Sequence, residues 1–129
     1  MALRGLVSNV VAVALLLATA NSALGHARFI RSEPEPDAVL VESPGSVTVW
    51  FGELLEVEGS RIQVFGPDGS QTDLGDSGLL ANDHKALAVG LFPGLGPGTY
   101  VVVWENVSAE DGDSSRGEFT FTICEGCEE

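Results

Sequence analysis

Val47, Val49 and Phe51 alternate with Ser46, Thr48 and Trp50, and Phe119, Phe121 and Ile123 are separated by Thr120 and Thr122. A period of two places one set of side chains on one face of an extended chain, so each run buries one face of a strand. Runs rich in β-formers are Ala27 to Arg31, Ser46 to Phe51, Arg61 to Phe65, Ala86 to Leu91, Thr99 to Asn106 and Glu118 to Ile123. Turn formers such as Pro67-Asp68-Gly69, Pro93-Gly94 and Pro97-Gly98 punctuate them, and no segment shows a helical period. An all-β chain of six or seven short strands predicts an antiparallel β-sandwich with Greek-key connections.

Gly98-Thr99-Tyr100 before Val101-Val102-Val103-Trp104 has the form of a tyrosine corner, in which a phenol near the start of a late strand bonds back to the backbone. Trp104 and Trp50 are then expected in or at the edge of the core. The least ordered parts are expected at Glu33 to Pro44, at Leu74 to Asp83 and in the tail from Glu125. His84, in Asn82-Asp83-His84-Lys85, is expected on a solvated turn, remote from any metal-binding end.

Arg4, the apolar run Val10 to Ala18 and the lack of any acid before Glu33 form the pattern of an export signal over residues 1–25. The run is shorter than the roughly 20 apolar residues that a transmembrane helix needs. The processed chain is therefore expected to be soluble and not membrane-spanning, in the periplasm or outside the cell. Cleavage after Ala23-Leu24-Gly25 makes His26 the first residue, and an N-terminal histidine offers a metal both its α-amine and a ring nitrogen. Ala18-Thr19-Ala20 also fits the small-x-small rule and would leave Asn21 first, without that chelating pair.

Cleavage after Gly25 leaves 104 residues, enough for one domain. With 19 Asp+Glu and five remaining Lys+Arg, the processed chain carries 5 − 19 = −14 charges. That balance excludes nucleic acid as a natural partner, because phosphate binding needs basic patches. Cys124 and Cys127 form a C-x-x-C pair in the acidic segment 124–129. A local disulfide is expected in an oxidising compartment, and the reduced thiolates would suit a soft ion.

The order of His26-Ala27-Arg28, Ser32-Glu33-Pro34, Val47 to Glu53, Leu95 to Tyr100, Val103-Trp104 and Val107 to Asp113 leading to Gly117-Glu118-Phe119-Thr120-Phe121 resembles the CopC-type copper-resistance and copper-trafficking proteins of the bacterial periplasm. The resemblance covers residues 26–123. It implies a cupredoxin-like or Ig-like β-sandwich or barrel that holds Cu(II) at one end and either sequesters it or passes it to a partner, such as an inner-membrane copper transporter or another periplasmic copper protein. In the family the N-terminal histidine supplies amine and imidazole, and an Asp-x-His supplies a carboxylate and a second imidazole. Position by position, His26 matches the first histidine, Asp111 matches the aspartate, and Asp113 stands where the second histidine is expected. Glu53 matches a glutamate that lies near the metal in some relatives.

Cu(II) prefers nitrogen donors in a tetragonal plane, so a carboxylate at 113 implies a weaker and more oxygen-rich site. On an extended segment Asp111 and Asp113 would point to the same side. The only methionine is Met1, so no thioether Cu(I) site is expected in the processed chain. No nucleophile, base and orienting residue set is recognisable, and the chain is read as a binder rather than an enzyme. The alternative is a sandwich module that has lost copper and serves a structural or partner-binding role. Mass spectrometry of the exported protein is expected to give a chain starting at His26; a start at Asn21 would remove the amine ligand.

Overall fold

Among the described residues eight strands form in the order β1 (Phe29–Glu33), β2 (Val39–Leu40), β3 (Ser46–Phe51), β4 (Arg61–Phe65), β5 (Gly78–Leu80), β6 (Asp83–Gly90), β7 (Gly98–Val107) and β8 (Ser114–Ile123). The structure, a computed structural model, describes residues 27–127. The expected export signal and His26 lie outside the described residues, as do Glu128 and Glu129. Among the described residues no helix is long and apolar enough to cross a membrane.

The strands make two four-stranded sheets, β1-β3-β6-β5 and β2-β8-β7-β4. Only β5 to β6 and β7 to β8 connect neighbours within a sheet; the other connections cross between sheets, in the Greek-key manner. All pairings are antiparallel except β2 with β8, which is parallel.

Period-two burial builds the core. Val47, Val49 and Phe51 of β3 face Ile62 and Val64 of β4, Tyr100, Val102 and Trp104 of β7, and Phe121 and Ile123 of β8. Burying each such aliphatic or aromatic side chain contributes roughly 1.5–3 kcal/mol. Phe51 meets Trp104 edge to face with ring centroids 5.0 Å apart, and Tyr100 stacks on Phe121 at 5.3 Å. Trp50 stays on the outer face, where the Arg31 guanidinium lies 3.6 Å over its ring centroid.

The expected runs at Ser46–Phe51 and Arg61–Phe65 match β3 and β4. The first strand starts two residues later than expected, and an irregularity between Phe29 and Arg31 shifts its register. Two segments expected to be the least ordered contain strands instead. In Glu33 to Pro44, β2 is held by Thr122 N–H on the Ala38 carbonyl (2.8 Å) and Cys124 N–H on the Leu40 carbonyl (2.7 Å). Two residues are too few to show a period, so tertiary pairing made that strand.

The segment before β5 folds back over the exposed edge of β4. Val64 N–H donates to Asp73 Oδ2 (2.8 Å), Thr72 N–H to the Val64 carbonyl (2.8 Å) and Ile62 N–H to Ser77 Oγ (2.7 Å). Asp73 is buried and receives further hydrogen bonds from Gly75 N–H and the Gln71 amide. Covering an edge strand with side-chain acceptors removes a template for pairing with another chain.

The tyrosine corner forms as expected, with the Tyr100 hydroxyl donating to the Gly96 carbonyl at 2.7 Å. Burial, and secondarily the negative charge of Asp68, raise the phenol pKa above its ordinary 10.0. The neutral phenol is thus the form that the fold favours, so its contribution to stability is complete below 10.0 and is lost as pH rises through the raised value. Tyr100→Phe is expected to cost about 1 kcal/mol at neutral pH, and to remove this alkaline loss. Urea denaturation at pH 7 and pH 11 checks both, and because Tyr100 is the chain's one tyrosine, ultraviolet titration reads its phenol alone. Gly117 lies under the Trp104 indole, where a Cβ would overlap the ring. Gly117→Ala is therefore expected to destabilise by roughly 1–3 kcal/mol, as a lower urea midpoint.

Candidate metal centre

The inward row of β7 does not stop at the core. After Tyr100, Val102 and Trp104, the same period turns Asn106 and then Ser108 inward, and both are fully buried. Buried amides and hydroxyls need partners. Asn106 donates from Nδ2 to the Ala27 carbonyl at 3.0 Å and accepts from Ser115 Oγ at 2.9 Å. Ala27 is itself fully buried, and the Arg28 carbonyl accepts from Gly52 N–H at 2.9 Å. Residues 27 and 28 are thus fixed between the end of β3 and the β7–β8 hairpin.

Ser108 is the hub of the same end. Its hydroxyl donates to Glu53 Oε1 at 2.7 Å and accepts from Glu110 N–H at 3.3 Å. Its N–H donates to the Asp113 carbonyl at 2.9 Å, and its carbonyl accepts from Gly112 N–H at 2.9 Å. Glu53 is half-buried on the segment after β3. That segment is joined to β7 and the turn after it through Glu56 N–H on the Val107 carbonyl (2.8 Å) and Ala109 N–H on the Leu54 carbonyl (2.9 Å). A shallow cleft of about 210 Å³ beside it is lined by Gly52, Glu53, Leu54, Lys85 and Glu110.

Asp111 and Asp113 lie in the turn between β7 and β8, and both are exposed. The expectation that they alternate on an extended segment is corrected. Gly112 has φ of 75°, a left-handed conformation suited to glycine, and the chain turns there. The Asp111 carboxylate folds onto its own loop, where Oδ1 accepts from Asp113 N–H at 3.0 Å. A carboxylate has two oxygens, so Glu53 and Asp111 each commit one to the protein by these bonds and keep a second acceptor atom.

Glu53, Asp111 and Asp113 therefore share one end of the sandwich, with Glu53 joined to the turn through Ser108. Among the described residues no three or more His, Cys, Asp or Glu side chains are grouped closely enough to hold a metal ion. His26 is outside the described residues. His84 is exposed as expected, but it is part of β6, and its carbonyl accepts from Leu55 N–H at 3.0 Å. Its backbone belongs to this same end, which corrects the expectation that it is remote.

Sequence reasoning missed Asn106 and Ser108. The signal was the continuation of β7's inward period into two polar residues. Asn106→Ala leaves the Ala27 carbonyl and the Ser115 hydroxyl without their buried partner, and is expected to cost about 1–3 kcal/mol. Amide hydrogen exchange is expected to quicken over residues 27–29 in that variant, and unchanged protection there would refute the anchor.

The family model described as the CopC domain matches residues 29–124. Protein YobA of Escherichia coli K12 is 31% identical over 102 residues, covering 79% of this chain and 82% of YobA. The crystal structure of CopC from Methylosinus trichosporium OB3b superimposes with a TM-score of 0.67 at 24% identity, over 81% of this chain and 99% of that one. PcoC from Escherichia coli, described as a methionine-rich copper resistance protein, gives a TM-score of 0.63 at 26% identity, over 77% of this chain and 99% of PcoC. With a fold shared across these structures and a domain match that spans β1 to β8, the chain belongs to the CopC domain family.

Proposed function

We propose that this protein is an exported copper-binding protein that sequesters Cu(II) or hands it on in the periplasm, without catalytic turnover. The observation that carries the reading is the Asn106 bond to the Ala27 carbonyl. It fixes the residue next to His26 at the end of the sandwich that bears Glu53, Asp111 and Asp113. A peptide unit spans 3.8 Å between Cα atoms, so the position of Ala27 limits where the amine and imidazole of a processed His26 can act. Membership of the CopC domain family supports copper as the cargo.

In this reading His26 supplies amine and imidazole, Asp111 and Asp113 supply carboxylate oxygens, and Glu53 is a further ligand or a nearby acceptor. With one imidazole and harder oxygen donors, the site holds Cu(II) less selectively than a two-imidazole site would. The recipient is an inner-membrane copper transporter or another periplasmic copper protein. A second reading, a copper-free structural or partner-binding module, is favoured by Asp113 standing where a histidine is expected.

Protein processed to begin at His26 is expected to take one equivalent of Cu(II) in calorimetric titration, with nitrogen hyperfine coupling in the EPR spectrum. His26→Ala, or a retained Gly25 that blocks the amine, is expected to abolish that coupling or weaken it sharply. Asp113→His is expected to tighten binding. A processed wild type that takes up no stoichiometric Cu(II) would leave the copper-free module as the better reading.

A further inference from the structure

At the other end of β8, Cys124 and Cys127 are joined in a disulfide with Cα atoms 5.5 Å apart. Ten strand residues at about 3.3 Å each put the two ends of β8 roughly 30 Å apart, so this pair is separate from the Ser108 end. We propose that Cys124 and Cys127 form a redox-gated thiolate site that takes Cu(I) when the disulfide is reduced.

The first argument is that the crosslink staples little. Disulfide stabilisation grows with the length of chain that the bond closes, and here the separation is only three residues. The buried core ends at Ile123. Cys124 is already tied to the fold by its N–H bond to the Leu40 carbonyl at 2.7 Å, and Cys127 N–H reaches back only to the Cys124 carbonyl at 3.2 Å. Gly126, with φ of 78°, makes the turn that brings the pair together. Removing the crosslink therefore exposes no core.

The second argument is access and chemistry. Cys127 is exposed and Cys124 half-buried, so an external thiolate meets the Cys127 sulfur first. A dithiol reductant attacks Cys127 Sγ, the S–S bond breaks, and Cys124 Sγ leaves with the electron pair. The reductant's second thiolate then attacks the mixed disulfide, releasing Cys127 Sγ and closing the reductant's own disulfide. Two electrons and two protons pass to the protein, giving two thiols. One Cu(I) ion replaces the two protons as it binds, because the thiolate is the ligand form and soft thiolates select Cu(I). The turn holds both sulfurs on one short loop, so the chelate needs no rearrangement of the sheets. Copper as the ion rests on the proposed function, whereas the dithiol site stands on its own geometry.

Full-length processed protein, reduced anaerobically with dithiothreitol and desalted, is titrated with Cu(I) against a chromogenic Cu(I) chelator. Reduced wild type is expected to withdraw one equivalent, and both the oxidised protein and C124S/C127S none. The double variant is expected to keep the thermal midpoint of the oxidised wild type and its Cu(II) uptake, whereas His26→Ala keeps the Cu(I) equivalent while losing Cu(II). Equal withdrawal by reduced wild type and C124S/C127S would overturn the proposal. So would a large fall in thermal midpoint on reduction, which would make the bond a structural staple.

Discussion

The inward face of β7 is the constraint on which both the core and the candidate site depend. Its ten residues pair with all ten of β8, from Gly98 against Ile123 to Val107 against Ser114. One period fixes five inward positions, counting on to Ser108 just past the strand's end. The first three are Tyr100, Val102 and Trp104, which fill the space between the sheets; the last two are Asn106 and Ser108, which require hydrogen-bond partners because water does not reach them. Those partners are Ala27, Ser115 and Glu53, so satisfying two buried side chains draws the chain before β1, the start of β8 and the segment after β3 to one place. Among the described residues no buried side-chain nitrogen or oxygen lacks a partner.

The two ends of the ladder are built from different chemistry because they meet different parts of the chain. At the Val107–Ser114 end, three strand ends and a loop converge, and backbone groups left without ladder partners are met by Ser108, Asp111 and their neighbours. At the Ile123 end, β2 pairs for only two residues before the chain leaves the sheet. Among the described residues, 124–127 form a short turn whose backbone is tied to the sheet only through Cys124 N–H on the Leu40 carbonyl.

Much of the architecture was legible because its strands bury one face. Ser46–Phe51 and Arg61–Phe65 alternate cleanly, and the tyrosine corner has a local signature that its hydrogen bond bears out. β2 and β5 were not legible: they have two and three residues, without alternation, and exist through pairing with β8 and β6. His84 was misplaced for a related reason, since its position depends on Leu55 crossing from another segment to its carbonyl. The acidic candidates could be named from the residues, but their arrangement turned on Gly112, whose left-handed backbone converts an apparent alternation into a turn. Asn106 and Ser108 were available to the same period-two argument that found the core, extended by two steps.

The turn itself separates the fold's requirements from the site's. At position 113 the protein uses the backbone on both sides: the N–H is taken by Asp111 Oδ1 and the carbonyl by Ser108 N–H. The Asp113 side chain is exposed, and no bond that shapes the loop runs through it. A carboxylate or an imidazole at that position therefore leaves the same backbone bonds in place, and the side chain can change without a change in the loop. Asp111 is different, because its carboxylate is part of the turn, so replacing it alters shape and chemistry together. An aspartate at 113 in a chain that keeps the rest of the fold is thus what a loop held by its backbone permits, whereas Glu53 and Asp111 are tied to the fold by their own hydrogen bonds.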